Sequence, residues 1–185
     1  MIIYIKNMVC IRCKLIVESE LEKMGLHKTS IMLGEVKISE EISDYQRYQL
    51  NSALNKSGFE VLDPQKSRDI EKIKNCVIEL VHYSGEHLRN FPDYLSKKLE
   101  RDYAWLNNLF FEVQNTTIEN FLLKHKIERA KELLVYNKIN LTDIASQLNF
   151  SSVSQLTVQF KEITGFSPYH FRQIKNMRSI TRKNM

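Results

Sequence analysis

The 185-residue chain is long enough for one large or two small domains, and 43% hydrophobic with 26% charged content is that of a soluble globular protein. No apolar run approaches the roughly 20 residues of a membrane span, and MIIYIKN meets a lysine too early for a secretory leader, so a cytoplasmic location without a membrane partner is expected. The net charge of +5 is lopsided: residues 1–65 hold eight Lys/Arg against nine Asp/Glu and the remainder nineteen against thirteen, which points to a polyanion partner for the second part.

Ile2 to Lys6 reads as a strand, and Cys13 to Met24, apolar at Val17, Leu21 and Met24, as a helix ending at Gly25. Lys28 to Leu33 and Val36 to Ser39 are strand-like around a turn at Gly34-Glu35. Ser43 to Ser57 reads as a second helix, with Leu50, Ala53 and Leu54 inward and Gly58 as its stop, and Phe59 to Leu62 as a last strand. The predicted order is βαββαβ, the ferredoxin-like arrangement, so the fold class is an α+β N-terminal domain over 1–65 followed by an all-α domain over 66–185.

Between the first strand and the first helix lies Asn7-Met8-x-Cys10-x-x-Cys13, and the segment closes on Lys56-Ser57-Gly58-Phe59-Glu60. Three cysteines in all, two of them so spaced, do not suit a secreted disulfide framework. The two motifs resemble those of the heavy-metal-associated domain of copper chaperones and P-type ATPases. The resemblance implies that Cys10 and Cys13 hold Cu(I) or another soft metal ion, with Met8 packed beneath the loop. Soft thiolates select soft metals, and a helix N-terminus lowers the pKa of a thiol placed there, here Cys13. Val9 and Ile11-Arg12 depart from the family's smaller residues and would stiffen the loop. A thiol redox switch and a domain kept only for dimerisation remain as alternative readings. His27 has no second His or acid at ligand spacing and reads as an exposed side chain.

Asp63-Pro64-Gln65-Lys66 is a polar break and the expected domain boundary. From Ser67 a helix carries Ile70, Ile73, Val77, Leu80 and Val81 on one face, with Cys76 flanking them as a small buried side chain. Ser84 to Asn90 reads as a loop, and His82 and His87 are poorly spaced for a metal.

An internal repeat follows. Leu95 and Leu99 match Ile144 and Leu148 at an offset of 49; Leu106, Phe110, Asn115 and Phe121 match Leu156, Phe160, Gly165 and Phe171 at an offset of 50. One residue inserted in the turn accounts for the change. Each copy, about 92–115 and 142–165, reads as two helices joined by a tight turn, the helix-turn-helix shape. In the second copy Thr142 is the expected first cap, and Asn149 tolerates a left-handed turn. Ser152 and Gln155 form a capping box, and Val153, Leu156, Phe160 and Ile163 make the buried face. Gly165 is the stop, and Ser167-Pro168 restarts a helix. In the first copy Asp102 caps Tyr103 to Val113. Beyond Glu162 the chain has no acid, and past Met177 its Arg and Lys residues read as a solvated tail.

The run A-x-x-x-N-F-S-S-x-S-x-L-x-x-x-F-K-x-x-x-G-F-S-P-x-x-F-R, from Ala145 to Arg172, resembles the AraC/XylS DNA-binding signature at about a dozen positions. K-I-E-R-A-K-E-L-L within Thr117 to Tyr136 is similar to that family's linker helix. The resemblance covers roughly Asp69 to Arg172 and implies a transcription regulator whose partner is double-stranded DNA. RNA polymerase and a second copy of the chain stand as candidate protein partners.

With Leu106 and Leu156 as buried reference, the groove-facing residues are Ala104, Trp105, Asn107 and Asn108 in one helix and Ser154, Gln155, Thr157, Val158 and Lys161 in the other. Asn and Gln suit adenine, and Val158 suits a thymine methyl. The family's arginine two residues past the reference is here Asn108 or Val158, so AT-leaning readout is expected. Affinity is expected to rest on phosphate contacts from Lys126, Arg129, Lys131, Lys161 and Arg172, with a steep salt dependence. No nucleophile with a paired His and acid is visible, which speaks against an enzyme. The alternatives are a thiol oxidoreductase and a metal-delivery protein with a degenerate helical domain.

Overall fold

The computed structural model describes residues 1–83, 90–136 and 139–174. Most of the expected loop at 84–90, with His87, and the tail residues Lys175, Arg178, Arg182 and Lys183 lie outside the described residues.

The chain opens with β1 (Ile2–Lys6), α1 (Ile11–Lys23), β2 (Lys28–Met32), β3 (Glu35–Ile38), α2 (Asp44–Asn55) and β4 (Glu60–Val61). The strands form one antiparallel sheet in the order β2-β3-β1-β4, with Ile3 opposite Val36 and Ile5 opposite Val61. Strand alternation sends Ile3 and Ile5 to one face, where they join Val17, Leu21, Leu50 and Leu54 in a core. Tyr4 and Lys6 take the other face, which is covered as well. Tyr4 is fully buried with the Lys74 ammonium 5.0 Å over its ring, and burial, with Glu35 and Glu71, raises its phenol pKa. Covering on both faces explains why Ile2 to Ile5 is a nearly unbroken apolar run instead of an alternating one.

The expected linker at Asp63 to Lys66 is instead the start of α3 (Pro64–Tyr83). Asp63 Oδ1 accepts from the backbone N–H groups of Gln65 and Lys66, both at 3.0 Å, and Pro64 fills the first helical position, where no N–H is needed. Ile70, Ile73, Cys76, Val77, Leu80 and Val81 are buried along it. There follow α4 (Phe91–Leu99), α5 (Tyr103–Gln114), α6 (Ile118–Tyr136), α7 (Leu141–Gln147), α8 (Val153–Thr164) and a helical stretch over 168–174.

Two compact units result: Met1–Lys74 with Ser96–Ile118, and Asn75–Leu95 with the chain from Glu119 onward. The division falls inside α3 and α4, away from residue 65, and α5 belongs with the N-terminal sheet. The repeat is written in the backbone. Glu100 (φ 52°) and Asn149 (φ 50°) are both left-handed, as are Asn115 (φ 53°) and Gly165 (φ 79°). Asp102 and Ser152 cap the following helices by accepting from the backbone of Trp105 and Gln155. Three residues run from Glu100 to Asp102 and four from Asn149 to Ser152, which locates the insertion in the turn.

Three local expectations are corrected. Asn140, not Thr142, caps α7, accepting from Asp143 N at 2.8 Å. Gln155 closes its box one residue early, its Oε1 accepting from Ser151 N at 2.8 Å. Ile163 is exposed, whereas Leu156 and Phe160 are buried and Val153 is half-buried.

Candidate nucleic-acid interface

On α5, the buried stripe of Leu106, Leu109, Phe110 and Val113 leaves Ala104, Trp105 and Asn108 on the exposed side. The Arg101 guanidinium lies 5.6 Å over the Trp105 ring, so the helix starts with a cation stacked on an aromatic. Asn107 is not on this face: it is half-buried, and its Oδ1 accepts from Ile118 N at 2.9 Å, capping the start of α6. Phe111, 53% exposed, sits at the repeat position of Lys161 and is absent from the groove-facing set expected from the sequence. Its offset of 50 from a groove-facing residue is the signal that could have found it. Arg101, four residues before Trp105, is likewise legible only through that pairing.

On α8, Ser154, Gln155, Val158 and Lys161 are exposed around buried Leu156 and Phe160. Thr157, the repeat counterpart of Asn107, is also withdrawn, with its hydroxyl donating back to Val153 O at 2.8 Å. These two expected groove-facing positions therefore serve the scaffold, and the others remain available.

Most of the expected phosphate-binding cations are engaged within the protein. The Lys126 ammonium, its pKa lowered by burial, donates to Asn149 O at 3.4 Å and lies 5.2 Å over the Phe150 ring. This holds the left-handed turn between α7 and α8. Arg129 pairs with Glu132 at 2.7 Å and Lys131 with Glu128 at 2.6 Å, each an i, i+3 partner on α6. Arg172 donates to Ile139 O at 2.6 Å and keeps a buried Nε. Lys161 alone of the five is fully on the surface.

The cysteine pair lies in the first unit. Cys10 is the exposed N-cap of α1, and Cys13, buried, is its third residue. Their sulfurs are 3.3 Å apart, and Cys13 Sγ lies 4.0 Å from Asn7 O. The Cys13 backbone N–H and thiol, together with Arg12, hold the Cys10 pKa below the ordinary thiol value. Met8 is fully buried beneath the loop. Val9, Cys10, Ile11, Arg12, Lys14 and Leu33 line an open depression of about 670 Å³ around the exposed sulfur. Among the described residues no cluster of three or more His, Cys, Asp or Glu is placed to hold a metal. His27, exposed as expected, does have an acid beside it, Glu40 at 2.5 Å, whose carboxyl pKa this bond lowers.

Residues 95–174 match the family described as a helix-turn-helix domain. The chain is similar to the Msm operon regulatory protein of Streptococcus mutans serotype c, 28% identical over 100 residues that make up 54% of this chain and 35% of that protein. It is also similar to an uncharacterized HTH-type transcriptional regulator in the cgkA 5' region of Pseudoalteromonas carrageenovora, 24% identical over 125 residues, 64% of this chain and 74% of that one. The chain thus spans about a third of the length of the first relative and about three quarters of the second. Among solved structures it shares the fold of the DNA-binding domain of AdpA, a global transcriptional factor in complex with a target DNA. The TM-score is 0.50 at 16% identity, covering 59% of this chain and 94% of that one. Among the described residues no helix is long and apolar enough to cross a membrane.

Proposed function

We propose that the chain is a sequence-specific, double-stranded-DNA-binding transcription regulator of the AraC type. The observation that carries this reading is the duplicated scaffold. Cap, buried stripe and left-handed stop recur at one offset in α5 and α8; α5 leaves a polar and aromatic face exposed, and α8 a polar one with Val158 on it. The AdpA domain, of the same fold, was solved in complex with a target DNA, which supports the same class of ligand here. Readout falls to Ala104, Trp105 with Arg101, Asn108 and Phe111 on α5, and to Ser154, Gln155, Val158 and Lys161 on α8. Asn108 can bond adenine N6 and N7, and Val158 and Phe111 can cover thymine methyls, so the operator leans to A·T. With DNA as its partner, the protein is read as cytoplasmic. RNA polymerase and a second copy of the chain remain candidate partners.

The N-terminal sheet and its two helices are read as a ferredoxin-like domain of the heavy-metal-associated kind, with Cys10 and Cys13 as the ligands of a soft monovalent ion such as Cu(I). Two sulfurs, with no third His, Cys, Asp or Glu donor beside them among the described residues, suit two-coordinate soft-ion chemistry better than a four-ligand zinc site. A mobility shift with a pool of random duplexes tests the first part: retained duplexes share a motif, and retention of none overturns it. Copper(I) titration of the chain against its Cys10→Ser, Cys13→Ser variant tests the second, the variant losing the bound equivalent.

A further inference from the structure

The loop carrying Cys10 is held from two sides within its own unit. Asn7, left-handed at φ 67°, donates through Nδ2 to Gly58 O at 2.9 Å. Asn115, the residue that ends α5, donates through Nδ2 to Met8 O at 3.0 Å. Two more features engage the same end of α5. Lys6 on β1 pairs with Glu112 at 2.8 Å, and Gly34 in the β2–β3 turn lies so close to Val113 O that a Cβ there would overlap it.

The repeat supplies an internal control. A left-handed helix stop needs only glycine, which is what α8 has at Gly165. At the same position α5 has asparagine, a costlier choice for the backbone, whose carboxamide reaches the cysteine loop. The carboxamide is therefore surplus to the turn and explained by the Met8 bond.

We propose that the Met8–Asn115 hydrogen bond transmits occupancy of Cys10 and Cys13 to the first recognition helix. Met8 O lies two residues before the N-terminal ligand, so an ion that fixes the loop also fixes the acceptor on which the end of α5 is anchored. The ion then binds better to one position of α5 than to others, and by linkage DNA and ion alter each other's affinity by the same factor. One neutral hydrogen bond sets the scale at about fivefold. This inference rests on the soft-ion reading above.

The test uses the full chain with silver(I) as a redox-stable soft monovalent probe, in chloride-free buffer. Silver stoichiometry, the emission of Trp105, which is the chain's one tryptophan and lies in α5, and the affinity for a duplex drawn from the random pool are read together. In the wild type, one equivalent of silver is expected to shift Trp105 emission and to change duplex affinity by about fivefold. Asn115→Gly keeps the left-handed stop and Asn115→Asp keeps the side-chain size without the donor. Both are expected to bind silver as before, while the change in duplex affinity falls below about twofold. A full response in both variants overturns the inference, as does silver bound by the wild type with neither emission nor affinity altered. Silver left unbound, or bound equally by the Cys10→Ser, Cys13→Ser variant, overturns the soft-ion reading itself and this inference with it.

Discussion

Val113 and Ile163 occupy the same position of the repeat, yet Val113 is fully buried and Ile163 is 38% exposed. The difference tracks the neighbour that α5 has in its own unit: Gly34 abuts the Val113 carbonyl, and Lys6 reaches Glu112 one residue earlier. Val113→Ala removes two buried carbons and leaves a void, so a loss of about 2 kcal/mol is expected. Ile163→Ala is expected to stay within about 0.5 kcal/mol of the wild type. Urea unfolding of the two variants checks the pair.

Asn107 and Asn108 are adjacent but have opposite duties. Asn107→Ala strands the Ile118 N–H and is expected to cost about 1–2 kcal/mol of stability without changing the preferred base sequence. Asn108→Ala is expected to leave the melting temperature unchanged and to weaken discrimination at one adenine by about 1–3 kcal/mol. Thermal melts and competition binding separate the two roles.

The salt dependence of DNA binding distinguishes engaged from free cations. Lys161→Gln is expected to reduce the slope of log affinity against log salt by about one, as when one phosphate fewer is neutralised. Lys131→Gln removes a cation already paired with Glu128, and the slope is expected to hold.

Thiol reactivity reports on Cys10. Its lowered pKa keeps the thiolate populated at a pH where an ordinary cysteine is protonated, and its sulfur is exposed. Alkylation by iodoacetamide is therefore expected at Cys10 ahead of buried Cys13 and Cys76, with a half-maximal rate below the usual thiol pH. Peptide mass mapping across a pH series reads this directly, and Cys76 modified first would contradict it.

Local signals in the sequence are legible where one residue decides one geometry. Asp102, Ser152, Asn149 and Gly165 each have a physical reason to stand at a cap or a left-handed turn, and each does so. Asp63-Pro64 is ambiguous because the same pair that marks a polar break also makes a helix start, and only the run of buried residues behind it decides between them. The candidate site is less legible. A lysine or arginine on a helix declares its charge but not its partner, and Lys126, Arg129, Lys131 and Arg172 all find partners inside the protein. Asn107 and Thr157, expected among the groove-facing residues, are half-buried and bonded to backbone groups. The tie between Met8 and Asn115 spans 107 residues, and nothing local in either segment announces it.

The most direct measurement selects duplexes from a random pool with the wild-type chain, with Asn108→Ala and with Val158→Ala. An A·T-leaning motif of two blocks is expected, one relaxed by Asn108→Ala and the other by Val158→Ala, with the partner block intact each time. Enrichment without a common motif, or loss of both blocks on either substitution alone, would contradict it.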